Sequence, residues 1–295
     1  MKLLIATDLS PTSRTVIDAV KTRPWPLGTE ARIVHVVDLS PFPMSGEILD
    51  VARDAAESLL KSVVQELAQS GLNAKAEVVL AGYPRTSITE YAKKWGANLI
   101  IVGSHGAGGL RRFVLGSVAQ GVVRGAPCSV EIVRPAPASS VGKAGMRVLL
   151  ATDGSDCANA AVKSVGSRPW PANSSIRLIS VVKQFVPIPD MAAPYLNAEL
   201  LAREAERLER EGHVKAKEAV AAAQSLLSEM GLQNVQIAEI PLGDPRELIL
   251  GEAKDWNADL IVLGSHGWHG LDRVLMGSVS ESVAMHAHCS VEIIR

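Results

Sequence analysis

Two short patterns in this sequence combine residue types and spacing suited to holding an anion. Gly103-Ser-His-Gly106 is followed after nine residues by Gly116-Ser117, and Gly264-Ser-His-Gly267 after nine by Gly277-Ser278. Glycine has no side chain to hold a ligand off the backbone, so peptide N–H groups at Gly103, Gly106 and Gly116 are able to approach phosphate oxygens. Ser117 and Ser278 sit where Val118-Ala-Gln-Gly-Val-Val123 and Val279-Ser-Glu-Ser-Val283 should begin a helix. A serine there is expected to cap the helix, whose N-terminus adds free N–H donors and partial positive charge. The plainer reading is that these glycines only make tight turns; the full spacing written twice favours a nucleotide site.

Other chemistry is poorly supplied. No Gly-x-x-x-x-Gly-Lys-Ser/Thr loop exists and no Gly-x-Gly-x-x-Gly follows the first apolar run, which supports neither a P-loop motor nor a dinucleotide enzyme. A hydrolase needs a base and a group to neutralise charge developing on the phosphoryl group. No dedicated constellation is visible, and no catalytic residue is assigned. Arg112 and Arg273 stand in both glycine loops, either as solvated surface groups or within reach of a phosphate. His286 and His288 are two residues apart, point away from each other on a helix, and face Gly125-Ala-Pro-Cys128 in the first copy, so no metal site is assigned. Cys128 and Cys289 precede a strand in equivalent places and read as buried thiols. Three cysteines without a close pair argue against a disulfide framework and fit a reducing compartment.

The elements that must position these loops are written twice. Leu4-Ile-Ala-Thr-Asp8 returns 145 residues on as Leu149-Leu-Ala-Thr-Asp153, and Arg23-Pro-Trp-Pro26 as Arg168-Pro-Trp-Pro171. The glycine loops, and Cys128-Ser-Val-Glu-Ile132 with Cys289-Ser-Val-Glu-Ile293, lie 161 residues apart, leaving 16 extra residues in the second copy. Solenoid repeats run roughly 20–50 residues, so each copy is a whole domain. Residues 1–135 form the first domain and 146–295 the second; the small residues, Pro and Gly of 136–145 read as a linker.

Within each copy, apolar runs alternate with helical periodicity, which implies a parallel sheet covered by helices. Strands are expected near Lys2–Thr7, Ala31–Val37, Lys75–Leu80, Leu99–Gly103 and Ser129–Val133, then Arg147–Thr152, Ser175–Val182, Gln233–Ile240, Leu260–Gly264 and Ser290–Ile294. A helix over about Glu47 to Ser70 should bury Ile48, Val51, Ala55, Leu59, Val63 and Leu67. Its counterpart, about Asn197 to Met230, opens on a charged stretch read as a solvated face.

With these residues in view, the chain resembles the ATP-binding members of the universal stress protein family (UspA-like), over nearly its whole length and as two domains in tandem. The match rests on the spaced glycines, on Thr7-Asp8 and Thr152-Asp153, on His35-Val-Val-Asp38, and on the turns Gly82-Tyr-Pro84 and Gly243-Asp-Pro245. It implies an α/β fold of two tandem Rossmann-like (adenine nucleotide alpha hydrolase-like) domains, each a five-stranded parallel sheet with helices on both faces in the order three-two-one-four-five. A ligand in such a sheet sits at the carboxyl ends of the strands, where the order reverses.

The resemblance further implies roles by position. Asp8 and Asp153 match the acid near the adenosine, and Ala6, Thr7, Ala151 and Thr152 the backbone around it; a turn or capping acid is the alternative for the two aspartates. Val36 and Val181 match the residue that contacts adenine, and Val102 and Leu263 positions that pack near the nucleotide. Gly103, His105, Gly106, Gly116, Ser117 and Val118, with Gly264, His266, Gly267, Gly277, Ser278 and Val279, match the ribose and phosphate cradle. His105 and His266 read equally as loop histidines bonded to backbone. The implied ligand is ATP, with or without magnesium. Trp268, His269 and Asp272 replace Ala107, Gly108 and Arg111, which points to weaker binding in the second copy. The family's edge strand implies an intramolecular pseudo-dimer through Val130–Arg134 and Val291–Arg295, with Glu131 facing Arg295 and Glu292 facing Arg134, or solvated edge charges instead. Association of two chains into a homodimer stays open.

Composition sets outer bounds. With 295 residues, 30 basic against 31 acidic side chains and 4% aromatics, the chain offers no field or stacking surface for nucleic acid. Its apolar runs fall short of the roughly 20 residues of a membrane span. The N-terminus reads as a strand and not as a secretory signal, which suggests a cytoplasmic protein. The expected function is a stress-response protein whose bound ATP is a signal; a slow ATP hydrolase or phosphotransferase, or a nucleotide-free scaffold, are the alternatives.

Overall fold

The computed structural model describes residues 1–10, 13–38, 46–81, 83–106, 115–135, 145–184, 198–267 and 276–295. The first half runs β1 (Lys2–Ala6), α1 (Arg14–Thr22), β2 (Glu30–Asp38), α2 (Gly46–Gln69), β3 (Asn73–Ala81), α3 (Pro84–Trp95), β4 (Leu99–Gly103), α4 (Ser117–Gly125) and β5 (Ser129–Val133). The second runs β6 (Arg147–Ala151), α5 (Asp156–Gly166), β7 (Ser175–Ile179), β8 (Val182–Lys183), α6 (Ala198–Glu229), β9 (Val235–Ile237), β10 (Leu242–Gly243), α7 (Pro245–Asp255), β11 (Leu260–Gly264), α8 (Ser278–His286) and β12 (Ser290–Ile294). Continuous apolar runs such as Leu3-Leu4-Ile5, all fully buried, suit strands covered on both faces of a parallel sheet.

Ten strands form one sheet in the order β3-β2-β1-β4-β5-β12-β11-β6-β7-β9. Within each half the pairing is parallel, and each order reverses beside its first strand. On one face a single core joins the halves, from Ile100 and Val130 to Val291 and Ile261, under α3, α4, α7 and α8. On the other face each half has its own core, beneath α1 and α2 or beneath α5 and α6.

The second half departs from the expected strands. Ser175–Val182 stops at Ile179, and Gln233–Ile240 shortens to Val235–Ile237. Pro241 stands where the first copy has Leu80, and a proline has no N–H for the ladder. The chain restarts as β10, which pairs with β8 in a separate two-stranded sheet. Helix α2 buries Leu67 and packs Val63 on the core as expected, but Ala56 and Leu60 are buried where Val51 and Leu59 were expected, these being 70% and 56% exposed. Leu59 and Leu60 both fit a helical stripe, and packing selects the second. The charged start of α6 is a solvated face, with Arg203 paired to Glu199 and Arg207 to Glu204 and Glu211.

The two halves meet where β5 pairs antiparallel with β12, Glu131 opposite Glu292. The expected cross-joint pairs do not form. Glu131 is held by Arg23 Nη2 at 2.6 Å and Glu292 by Arg168 Nη2 at 2.9 Å, each within its own half. Arg134 Nη2 instead donates to Ala284 O at 2.7 Å, and Arg295 Nη2 to Val123 O at 2.8 Å, at the last turns of α8 and α4 across the joint. A cation at a helix C-terminus is favourable. The reason is parity: residues three apart on a strand face opposite sides of the sheet.

Arg14 and Lys21 on α1 clasp Glu66 on α2. Arg14 foremost, then Lys21, draws the Glu66 carboxyl down to about 2. A lowered carboxyl pKa contributes stability present above the unfolded value and lost as pH falls through the folded one. The difference in urea stability between wild type and Glu66→Gln is therefore expected to be full above about pH 4.5 and to vanish toward about pH 2; a difference independent of pH would refute the ionic link.

Candidate functional site

Where the order reverses between β1 and β4, the strand ends part and leave a hollow of about 440 Å³. Ala6, Thr7 and Asp8 line it from the end of β1, Val36 from β2, and Val102, Gly103, His105 and Gly106 from β4 and its loop. Gly116, Ser117 and Val118 enter from the start of α4, so the residues of this half matched by position to the nucleotide site are brought to one place. Ser13, Val34, Pro84, Ile88, Ser104 and Ala119 also line it and were not anticipated. Val34 was recoverable as the residue two before Val36 on the same strand face, and Pro84 from its turn motif.

The lining is chemically mixed. Val34, Val36, Ile88 and Val102 are apolar, Asp8 and His105 are polar, and the start of α4 adds backbone N–H groups beside Val118 and Ala119. Ser117 does not cap α4: the N-cap is Gly116, without a side-chain hydrogen bond, and the same holds for Gly277 on α8. Elsewhere Ser155 and Asp244 do cap α5 and α7 through their side chains. The first turn of a helix leaves N–H groups without intrahelical partners, and at α4 no cap side chain covers them.

The glycines answer first to the chain itself. A Cβ at Gly116 would lie 3.2 Å from Ser104 O, which accepts the Gly116 N–H at 2.8 Å. At Gly106 it would lie 2.7 Å from Asp8 Oδ2, and at Gly267 2.5 Å from Asp153 Oδ2. Asp8 also accepts from Ser10 N at 3.1 Å and Ser10 Oγ at 2.6 Å, so it braces a turn while bordering the hollow. His105 Nδ1 lies 3.1 Å from Ser104 Oγ and His266 Nδ1 3.0 Å from Ser265 Oγ. The Nε2 atoms of both rings are buried without a partner among the described residues. Burial, then the charge of Arg295, lowers the His266 pKa and favours the neutral ring.

The second half forms a matching but smaller hollow of about 150 Å³, lined by Ala151, Thr152, Asp153, Val181, Leu263, Gly264, His266, Gly267 and Val279 among others. Gly277 and Ser278 are not brought into its lining. Loop positions 107–114 and 268–275, with Arg112, Arg273, Trp268, His269 and Asp272, lie outside the described residues, as do Gly82 and the 136–144 part of the proposed linker. Burial pushes the Cys128 and Cys289 thiols up to about 11 and about 12, which makes them poor nucleophiles. Among the described residues no group of three His, Cys, Asp or Glu could hold a metal ion, and no helix is long and apolar enough to cross a membrane.

A family model described as the universal stress protein family matches residues 1–134 and again 146–295. A universal stress protein of Methanocaldococcus jannaschii is 33% identical over 139 residues, covering 45% of this chain and 81% of its own. One from Mycobacterium bovis is 28% identical over 276 residues, 89% of this chain and 86% of its own, and so has tandem length. The crystal structure of a universal stress protein from Archaeoglobus fulgidus aligns over 100% of this chain and 96% of its own, with a TM-score of 0.66 at 22% identity, a likeness of fold.

Proposed function

The chain belongs to the universal stress protein family, and from that premise we propose that it is a cytoplasmic stress-response protein that binds an adenine nucleotide, ATP, and signals by occupancy and not by turnover. The observation that carries this reading is the hollow at the β1/β4 reversal, which brings apolar side chains and an uncapped helix start into one lining. That pairing suits a ligand with a flat apolar end and an anionic end. Val36 and Val102 would bound the purine, Asp8 would border the ribose, and the Gly103–Gly106 loop with Gly116–Val118 would take the phosphates. With no described set of metal-ligating side chains, magnesium would be carried chiefly by the phosphate oxygens.

Turnover has less support. Asp8 and His105 are the titratable groups among the described lining, and Asp8 already braces its own turn. Calorimetric titration of ATP into the purified chain is expected to show binding with Kd on the order of micromolar, ~8 kcal/mol. Absence of binding, or sustained phosphate release at several per minute with magnesium, would refute the reading.

A further inference from the structure

We infer that the nucleotide hollow of the first half is completed by the second half, with Arg295 as a positioning residue for α4. The inference rests on the nucleotide reading above and concerns what holds that site in shape. Helix α4 delivers its N-cap Gly116 and then Ser117, Val118 and Ala119 to the hollow. It has only nine residues, about 14 Å of helix, and so takes its place from tertiary contacts. At its far end the last carbonyls have no intrahelical partner. Arg295 supplies one from the other half: Nη2 donates to Val123 O at 2.8 Å and to Arg124 O at 3.3 Å. Two side chains of α8 grip the same helix, Glu281 accepting from Arg124 Nε at 2.8 Å and Met285 Sδ from Gln120 Nε2 at 3.6 Å.

Arg295 differs from a solvated surface arginine. It is half-buried, and no carboxylate among the described residues forms an ion pair with it. Burial lowers its pKa, so the partial negative charge at the end of α4 is what its guanidinium answers. Without it, Val123 O and Arg124 O lose their donor beside the core shared by the halves, in which Val122 and Val123 are buried. So short a helix relieves that by shifting as a body, and the amides at its start move with it. Hydrogen bonds weaken steeply as their angle departs from the optimum, so a small shift there costs affinity for an anion. Arg134 supplies a matched case at the end of α8, where Nη2 donates to Ala284 O at 2.7 Å and to Met285 O at 3.4 Å. No described residue of α8 lines the first hollow.

Hydrogen exchange over residues 115–120 during an ATP titration of the full chain reads the first hollow alone. Arg295→Met, folded by circular dichroism, is expected to raise Kd there about tenfold, the effect of leaving buried acceptors without their donor. Arg295→Lys keeps the charge but loses the planar fork, and should raise Kd about threefold. Arg134→Met, which strips the same kind of bond from α8, should leave Kd at the first hollow within about twofold of wild type. Urea unfolding of each variant separates positioning from stability: a purely structural arginine lowers stability in both Met variants and changes Kd in neither. Unchanged Kd in Arg295→Met, or an equal rise in Arg134→Met, would overturn the inference and leave the nucleotide reading standing. If Arg295→Met does not fold, Arg295→Lys decides, and a Kd equal to wild type overturns the inference. No ATP-dependent protection in the wild-type chain would instead refute the reading itself.

Discussion

Arg23→Ala is expected to destabilise the protein by about 3–5 kcal/mol, the usual consequence of stripping one partner from a buried ion pair. Glu131 is fully buried on β5, and Arg23 is its guanidinium partner, with Nη1 donating to Oε2 at 2.7 Å and Nη2 lying 2.6 Å from Oε1. Burial by itself would depress the Arg23 pKa, but Glu131 outweighs it and keeps the group charged. Without Arg23 the carboxylate would face Glu292 across the joint with no compensating charge of its own. Burial foremost, and then the nearby Glu131, already work to raise the Glu292 pKa, against the pull of Arg168. Urea unfolding followed by circular dichroism measures the loss. Arg23→Ala with Glu131→Leu should recover most of it, because an apolar pair needs no counter-charge. A single-mutant loss under about 1 kcal/mol would show that the pair is not what keeps Glu131 at the joint.

Gly116→Val is expected to weaken ATP binding on the order of 100-fold, ~2.7 kcal/mol, while changing global stability much less. The substitution acts through the chain before any ligand arrives. A Cβ already crowds Ser104 O at 3.2 Å and His105 Cα at 3.5 Å, and the valine methyls extend beyond it. The loop has to separate from the start of α4, breaking the Gly116 N–H bond to Ser104 O and moving the amides apart from His105. Gly116→Ala, which adds the Cβ alone, should fall between wild type and valine in calorimetric titration. Equal affinity in all three would place the phosphates elsewhere.

How much was legible depended on whether a signal was local. The strands that end at the site, β1 and β4, are continuous apolar runs closed by Asp8 and Gly103, and the structure places them as expected. The glycine spacing is equally local, and in the first half the residues matched to it by position line one hollow. Ser117 misled because a serine beside a helix start looks like a cap, while Gly116 takes that position. The ion pairs at the joint were misassigned because Arg23 is 108 residues from Glu131. The repeated Arg-Pro-Trp-Pro was visible, but its destination on another strand was not. Trp25 and Trp170 donate to Val20 O and Val165 O at 2.9 Å, so this motif fastens the end of each first helix and aims its arginine at the joint.

The antiparallel pairing of β5 with β12 within one chain bears on how such a molecule can change. When two identical subunits meet about a two-fold axis, every substitution appears on both sides at once, and each must be tolerated twice. Here the axis is only approximate and the two sides are encoded separately. Leu9, at a φ of 59°, faces the same task as Gly154 at 77°, and Pro241 interrupts a strand that Leu80 continues. One half is free to change while its twin does not, so the joint keeps an approximate two-fold pairing between halves whose sequences differ.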